Sequence, residues 1–451
     1  MRYHFIGIGG AGMSALARVL QARGQQVGGS DRADSPALDA LRGELSGPLY
    51  VGHAARQVGD ADVVVASAAI PEANPELAEA RRRGLAILSR AQLLGTVMDL
   101  YPVRVAVTGT HGKTTTSAMA AQMLAHAGLD PTALIGADVP AWGANTRIGA
   151  SDLVVAESCE AYGSFLELRP THSVLTNIEA DHLDYYRTFE RVIEAFRAFV
   201  RQTEKAVIVC ADGGADALVA EAAGAKMATY GIESGDLRAA LGPPSSPTRE
   251  GDEVLVEWRG ERIGTLRLHA PGRHNVLNAL SVVALGLSLN VPYPLIAEGL
   301  AQFRGTARRF ETLGVLPGDI VVIDDYAHHP TEIRATLAAA RARYGGRRIV
   351  ALFQPHLPSR THDLMDGFAA SFGDADVALI TDIYLAREAP MPGVTAERLA
   401  QAARDIGAAH VQYAGDLTSA AAALRQSLRP GDVVLTLGAG DVRKAGEMLV
   451  G

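Results

Sequence analysis

Two glycine-rich loops and several clusters of acids and histidines are the parts of this 451-residue chain that could do chemistry. The sharper loop is Thr108-Gly109-Thr110-His111-Gly112-Lys113-Thr114-Thr115, set between the apolar run Val103–Val107 and an alanine-rich helical stretch. Strand, glycine turn and helix in that order make a phosphate cradle. Backbone N–H groups face the anion, a lysine reaches the phosphate being transferred, and a hydroxyl can hold Mg2+. The spacing is GxxGKT rather than the full GxxxxGK[ST], because Val107 stands where the first glycine would fall. Only four of the 42 basic residues are lysines (Lys113, Lys205, Lys226 and Lys444), so a lysine where this chemistry needs one is not expected from composition. The competing reading is a glycine-rich turn with a solvated lysine.

Two more apolar runs end in acids. Val154-Val155-Ala156 leads into Glu157-Ser158-Cys159-Glu160, and a second strand candidate opens Thr176-Asn177-Ile178-Glu179-Ala180-Asp181-His182. Strand C-termini share one edge of a parallel sheet, so Lys113, Glu157 and His182 can converge although distant in sequence, and they are the catalytic candidates. Mg2+ prefers oxygen, yet a neutral imidazole can fill one position beside a hydroxyl and a carboxylate. Thr114, Glu157 and His182 are the corresponding metal-ligand candidates. Taken alone, His182 would read as a hydrogen-bonded structural histidine. Cys159 has no basic partner nearby and reads as packing rather than as a nucleophile.

The other glycine loop, Gly7-Ile8-Gly9-Gly10-Ala11-Gly12, satisfies GxGxxG through Gly7, Gly9 and Gly12, with Asp31 after the next strand where a ribose-binding acid belongs. It points to a nucleotide-type ligand without saying which. Three later segments also follow β-type runs and should line one sheet edge: Asp324-Asp325-Tyr326-Ala327-His328-His329-Pro330, Gln354-Pro355-His356-Leu357-Pro358-Ser359-Arg360, and Thr381-Asp382-Ile383-Tyr384. Arg360 can clamp a carboxylate. The paired histidines lack the cysteine or spaced carboxylate that would complete a metal site. Pro271–Asn278 and Arg308–Glu311 could supply nucleotide contacts or simply cap helices.

The elements that must position these residues alternate short strands with helices, a pattern that implies parallel sheets with helical crossovers. Strands are expected at Tyr3–Ile8, Gln26–Gly29, Ala61–Ser67, Val103–Val107, Leu153–Ala156, Ser173–Thr176 and Val207–Cys210. Others follow at Ile320–Asp324, Ile349–Phe353, Val377–Thr381 and Val433–Leu437. Helices are expected at Ala11–Gln21 and Pro75–Arg83, a hairpin at Glu253–Trp258 and Arg262–Leu268, and a loop at Leu241–Gly251. The uncharged stretch Asn275–Ala297 reads as a buried helix followed by a turn. Three α/β units fit the length, with boundaries that give 1–100, 101–312 and 313–451.

A net charge of −8 leaves no broad basic surface, so nucleic acid is not an expected partner. Two cysteines cannot build a disulfide scaffold, and no stretch reads as a signal peptide or a membrane span, so a cytoplasmic protein with no membrane partner is expected.

Taken together, HFIGIGGAGMS, VTGTHGKTTT, TNIEADHLDYY, PGRHNVLNA, ARRFE, DDYAHHPTEI, FQPH and TDIY closely resemble the Mur ligases of peptidoglycan synthesis, over nearly the whole chain. Within that family they resemble the branch that adds the first amino acid. The resemblance implies three α/β domains that bind in turn a UDP-sugar, ATP and an amino acid. It implies ATP-dependent joining of L-alanine to the carboxylate of UDP-N-acetylmuramate through an acyl phosphate, by a monomer or homodimer.

By that resemblance Gly109, Thr110, His111, Gly112, Lys113, Thr114 and Thr115 contact ATP. Thr114, Glu157 and His182 hold Mg2+, with Glu160 nearby. Asn275, Arg309 and Asp325 complete the nucleotide site. Gly9, Gly10, Ala11, Gly12, Asp31 and Ser67 are substrate-binding candidates on the sugar side. Tyr326, His329, His356 and Arg360 are the remaining substrate-binding candidates, with His356 and Arg360 where the family positions L-alanine. His329 and His356 are both candidate bases for the amine.

Phe196 occupies the place where other branches carry a modified lysine, and Leu357-Pro358 replaces the usual Arg-Tyr after FQPH. The main rival is a ligase that joins UDP-N-acetylmuramate to a preformed tripeptide in cell-wall recycling. A dinucleotide-dependent oxidoreductase and a nucleotide-gated binding protein are rivals of other classes.

Overall fold

The computed structural model describes residues 1–67, 69–240 and 253–451. The expected loop at Leu241–Gly251 lies outside the described residues. Three sheets organise the chain, each mostly parallel and flanked by helices. The first is wholly parallel, in the order Leu49–Val51, Gln26–Asp31, Arg2–Ile6, Val63–Ala66, Ala86–Ser89. Its central strand stops at Ile6, two residues short of expectation, because Gly7 turns into the glycine loop at φ +83°, where a side chain would be strained.

The second sheet has ten strands. Its parallel heart is Met227–Gly231, Ala206–Cys210, His172–Leu175, Val103–Thr108, Leu153–Glu157 and Thr132–Val139. Ala144–Arg147 pairs antiparallel at one edge, and Leu237–Ala240 leads into the expected hairpin, Glu253–Trp258 and Glu261–Arg267, at the other. The heart strands carry β-branched residues buried on both faces, as in Val207-Ile208-Val209. One apolar core runs from Phe5, Leu16 and Leu93 through Tyr101 to Ala106, Phe165 and Phe199, so it is continuous across the first two sheets. The chain accordingly packs as two compact units. One comprises Met1–Ala240 with Leu255–Leu266 and Leu277–Gln302; the other is built on Phe303–Gly451 with Arg267–Val276.

In the second unit the sheet order is Glu311–Leu316, Ile320–Asp325, Val433–Leu437, Ile349–Phe353, Val377–Ile380, Val411–Tyr413, with only the first strand antiparallel. Alternate residues feed opposite cores: Ile323, Phe353 and Leu435 to one face, Val322, Leu352 and Val434 to the other. The stretch expected as a helix and a turn is the helix Arg273–Ser288, a turn at Asn290, and a second helix, Tyr293–Ala301. No helix among the described residues is long and apolar enough to cross a membrane.

Candidate active site

The phosphate loop is held from beneath by the next strand over. Thr176 Oγ1 donates to the His111 carbonyl (2.6 Å), Asn177 Oδ1 accepts from His111 N–H (2.8 Å), and the Asn177 carbonyl accepts from Thr110 N–H (3.1 Å). The Thr110 hydroxyl in turn accepts from Glu179 N–H (2.9 Å). Two glycines are needed for this fit. A Cβ on Gly109 would lie 2.1 Å from Thr176 Oγ1, and one on Gly112 would lie 2.6 Å from Asn278 Oδ1; both glycines sit at positive φ. The helix Lys113–His126 starts directly at Gly112, and Thr114 and Thr115 are buried in its first turn.

Lys113 folds back over the loop. Its Nζ donates to the carbonyls of Gly109 (2.6 Å) and Thr110 (2.9 Å) and pairs with Glu160 at 2.9 Å. Burial alone would lower its pKa, but the negative charge of Glu160, helped by Glu157, outweighs burial and holds the ammonium above the usual lysine range. Glu157 ends the strand Leu153–Glu157 and accepts from the Thr114 hydroxyl (3.0 Å) and from Gly136 N–H (2.7 Å). His182, in a left-handed conformation at φ +55°, places Nε2 3.8 Å from both Glu160 and Asp181. The structure therefore joins Thr114 to Glu157, whereas the carboxylates beside His182 are Glu160 and Asp181. An oxygen-rich set of hydroxyl and carboxylates suits a hard cation such as Mg2+. Burial pushes the Cys159 thiol up, away from the thiolate that a nucleophile needs.

The first glycine loop has its own acid. Asp31 Oδ2 accepts from Gly9 N–H (2.8 Å), and the Ser30 carbonyl accepts from Gly7 and Ile8, so the strand Gln26–Asp31 fixes the loop that leads into the helix Ala11–Ala22. Gly10 is that helix's N-cap, and Ser67 lies just past the strand Val63–Ala66, donating its N–H to the Ile6 carbonyl. A cavity of about 230 Å³ lies between the end of the first glycine loop and the strand-end carboxylate Glu157. Gly12, Leu16 and Arg90 line one side, and Leu134, Gly136 and Glu157 line the other.

In the second unit the three expected segments meet at one edge of its sheet. Asp325 accepts from Phe310 N–H and Ala327 N–H, both at 2.8 Å, and burial pushes its carboxyl up to about 6. Tyr326 lies under Arg308 and Arg309, whose guanidinium carbons are 4.8 and 5.1 Å from its ring. His356 stacks on Tyr384 at 5.7 Å, with His328 edge-on at 6.2 Å. Burial first, then the neighbouring His328 and Arg360, lowers His356 to about 4. His329 is the N-cap of the helix Pro330–Tyr344, its ring nitrogen accepting from Thr331 N–H. Leu357, where the family resemblance was weakest, takes φ +68° and caps the short helix Pro358–Asp363, which carries Arg360. Asn275 donates to the Pro271 carbonyl (2.7 Å) at the start of its helix.

Sequence reasoning left the roles of three positions unassigned. Glu160, read only as a neighbour of the metal set, is the buried partner of Lys113. Gly136 admits Glu157, since a Cβ there would lie 2.4 Å from Glu157 Oε2. Asn278 backs the phosphate loop. A glycine within an apolar strand was the one visible hint of Gly136; the other two depend on packing that periodicity does not report.

Known proteins share this arrangement over the full chain. Residues 2–102 match the model of the Mur ligase family catalytic domain, 107–286 the Mur ligase middle domain, and 308–440 the Mur ligase glutamate ligase domain. The UDP-N-acetylmuramate–L-alanine ligase of Trichlorobacter lovleyi is 44% identical, with 100% of this chain and 98% of that protein covered. The crystal structure of the UDP-N-acetylmuramate–alanine ligase of Thermotoga maritima superposes with a TM-score of 0.83 at 32% identity, covering 100% of this chain and 98% of that one. A murein peptide ligase of Psychrobacter arcticus, with equal coverage, reaches 0.69 at 25% identity. With all three segments matched in order, and with a lysine and the carboxylates Glu157 and Glu160 gathered on one phosphate loop, the chain belongs to the Mur ligase family.

Proposed function

We propose that this protein uses ATP to join L-alanine to the carboxylate of UDP-N-acetylmuramate through an acyl phosphate, the first amino-acid addition to the peptidoglycan precursor. The observation that carries the reading is the phosphate loop itself: Lys113 is held by Glu160 and Thr114 by the strand-end Glu157, beside a cavity that reaches the first glycine loop. The full-length likeness to proteins named as alanine-adding ligases supports that substrate over a preformed tripeptide, as does the lower structural similarity to the murein peptide ligase.

In this assignment residues 1–100 take the UDP-sugar, 101–312 take ATP and 313–451 bring the amino acid, in the cytoplasm where both nucleotides are made. Thr114 and Glu157 would hold Mg2+, with His182 as the third ligand; the bound ion would neutralise phosphate charge. The loop amides and Lys113 orient the γ-phosphate and spread charge as the sugar's carboxylate attacks it. Lys113 must leave Glu160 to do so, and Glu160 keeps it protonated until then. The alanine amine then attacks the activated carbonyl and phosphate leaves. On the amino-acid side Arg360 holds the alanine carboxylate, with Tyr326, His329 and His356 around it. Burial lowers His356 to about 4, so its imidazole is neutral at pH 7.

The test is phosphate release with ATP, Mg2+ and UDP-N-acetylmuramate, comparing L-alanine with L-Ala-γ-D-Glu-meso-diaminopimelate. Turnover with L-alanine is expected. Turnover only with the tripeptide would assign the recycling reaction instead. Lys113→Ala should abolish ligation, and near-normal turnover in that variant would overturn the phosphate-loop assignment.

A further inference from the structure

The cavity beside the first glycine loop contains a cation, Arg90, that is unpaired among the described residues. Arg90 makes no hydrogen bond or ion pair among the described residues, although its guanidinium lies against Gly12, where a Cβ would come within 3.0 Å of Nη1. It is also placed against the local field. Arg90 is the first residue of the helix Arg90–Met98, whose N-terminal end repels a cation. Ser89 caps that helix without help from the arginine, accepting from Gln92 N–H. A half-buried guanidinium held at a helix N-terminus over an empty wall is a preformed anion site.

The opposite wall says which anion. Glu157, bonded to Thr114 beside the phosphate loop, faces the same cavity. An anion entering here meets a like charge from Glu157 and needs a cation on its other side. Leu16, Leu94 and Leu134 make the remaining lining apolar. The diphosphate of a sugar nucleotide belongs at the first loop, where the helix Ala11–Ala22 begins. The group that must instead cross toward the phosphate loop is the lactyl arm of the muramoyl sugar, a methyl and a carboxylate on a short ether.

We propose that Arg90 binds the substrate's lactyl carboxylate and presents it across this cavity to the nucleotide bound on the phosphate loop. This rests on the reading that UDP-N-acetylmuramate is the substrate. The nearby leucines take the methyl, and Gly12 is small so that the arginine can lie flat over the end of the first loop.

Calorimetric titration of the full chain with UDP-N-acetylmuramate and with UDP-N-acetylglucosamine, which has the same diphosphate but no lactyl arm, separates the possibilities. In Arg90→Gln, UDP-N-acetylmuramate should bind on the order of 10- to 100-fold more weakly, as loss of a charge-assisted bidentate pair implies. UDP-N-acetylglucosamine and ATP should bind within about twofold of wild type, which also shows that the variant is folded. Arg90→Lys should fall between, because an ammonium keeps the charge but not the fork. In steady state KM for the muramoyl substrate should rise and KM for ATP should not. Equal losses for both sugar nucleotides would place Arg90 on the diphosphate and overturn the proposal, as would unchanged binding of UDP-N-acetylmuramate. A wild-type chain that bound UDP-N-acetylglucosamine but not UDP-N-acetylmuramate would overturn the functional reading, a result distinct from either.

Discussion

Glu160→Gln isolates the pair on which the phosphate loop turns. Glu160 is 3% exposed at its side chain and Lys113 13%, and their charged atoms are 2.9 Å apart. Removing one partner of a buried pair leaves the other charge uncompensated, at a cost of about 3–5 kcal/mol. Lys113 keeps two carbonyl acceptors, Gly109 and Thr110, so the lower end of that range applies, about 3 kcal/mol. For a unit of this size, that corresponds to a fall in Tm of roughly 5 °C.

The pH dependence has a definite sign. A lysine whose folded pKa is raised contributes stability that is complete below its ordinary value of 10.5 and is lost only as pH rises through the higher folded value. The deficit of Glu160→Gln should therefore be constant between about pH 6 and 9. Thermal unfolding followed by circular dichroism, without nucleotide, measures it. A second variant, Lys113→Met with Glu160→Gln, should recover most of the loss, because no buried charge is left unpaired. A Tm within about 1 °C of wild type for Glu160→Gln, or additive losses in the double variant, would refute the reasoning.

Gly136→Ala should push Glu157 away from Thr114, because the new Cβ would lie 2.4 Å from Glu157 Oε2; half-saturation by Mg2+ in the phosphate-release assay should rise about 10- to 100-fold, and an unchanged value would show that Glu157 is not needed there. Asp325 is raised to about 6 from 3.8, so its contribution to stability is greatest below pH 3.8 and declines as pH rises through 6. Asp325→Asn should remove that slope from Tm measured between pH 4 and 7, and a slope equal to wild type would mean that burial does not govern this carboxyl.

Much of the site was legible before any tertiary contact was known. Lys113 stood out because the chain has so few lysines and because a strand and a helix flank its loop. Glu157 and His182 follow from the rule that parallel strands end at one edge, and the strands Ile349–Phe353 and Val433–Leu437 were expected at the residues where they occur. Short or polar strands such as Leu49–Val51, Ala144–Arg147 and Val411–Tyr413 were not anticipated. They owe their pairing to neighbouring strands rather than to their own periodicity.

From the residues alone came the chemical kinds of group, the two phosphate-type loops and the alternation that makes parallel sheets. All of these are local patterns of backbone geometry and apolar spacing. Only the tertiary structure decided that Lys113 pairs with Glu160 rather than Glu157, that Gly136 admits Glu157, that the first two sheets share one core, and that Arg90, unpaired among the described residues, faces a cavity. Each of these depends on which side chains from distant segments come within a few ångströms of one another. There burial and Coulomb interactions are strong and fall steeply with distance, and linear spacing carries no information about either.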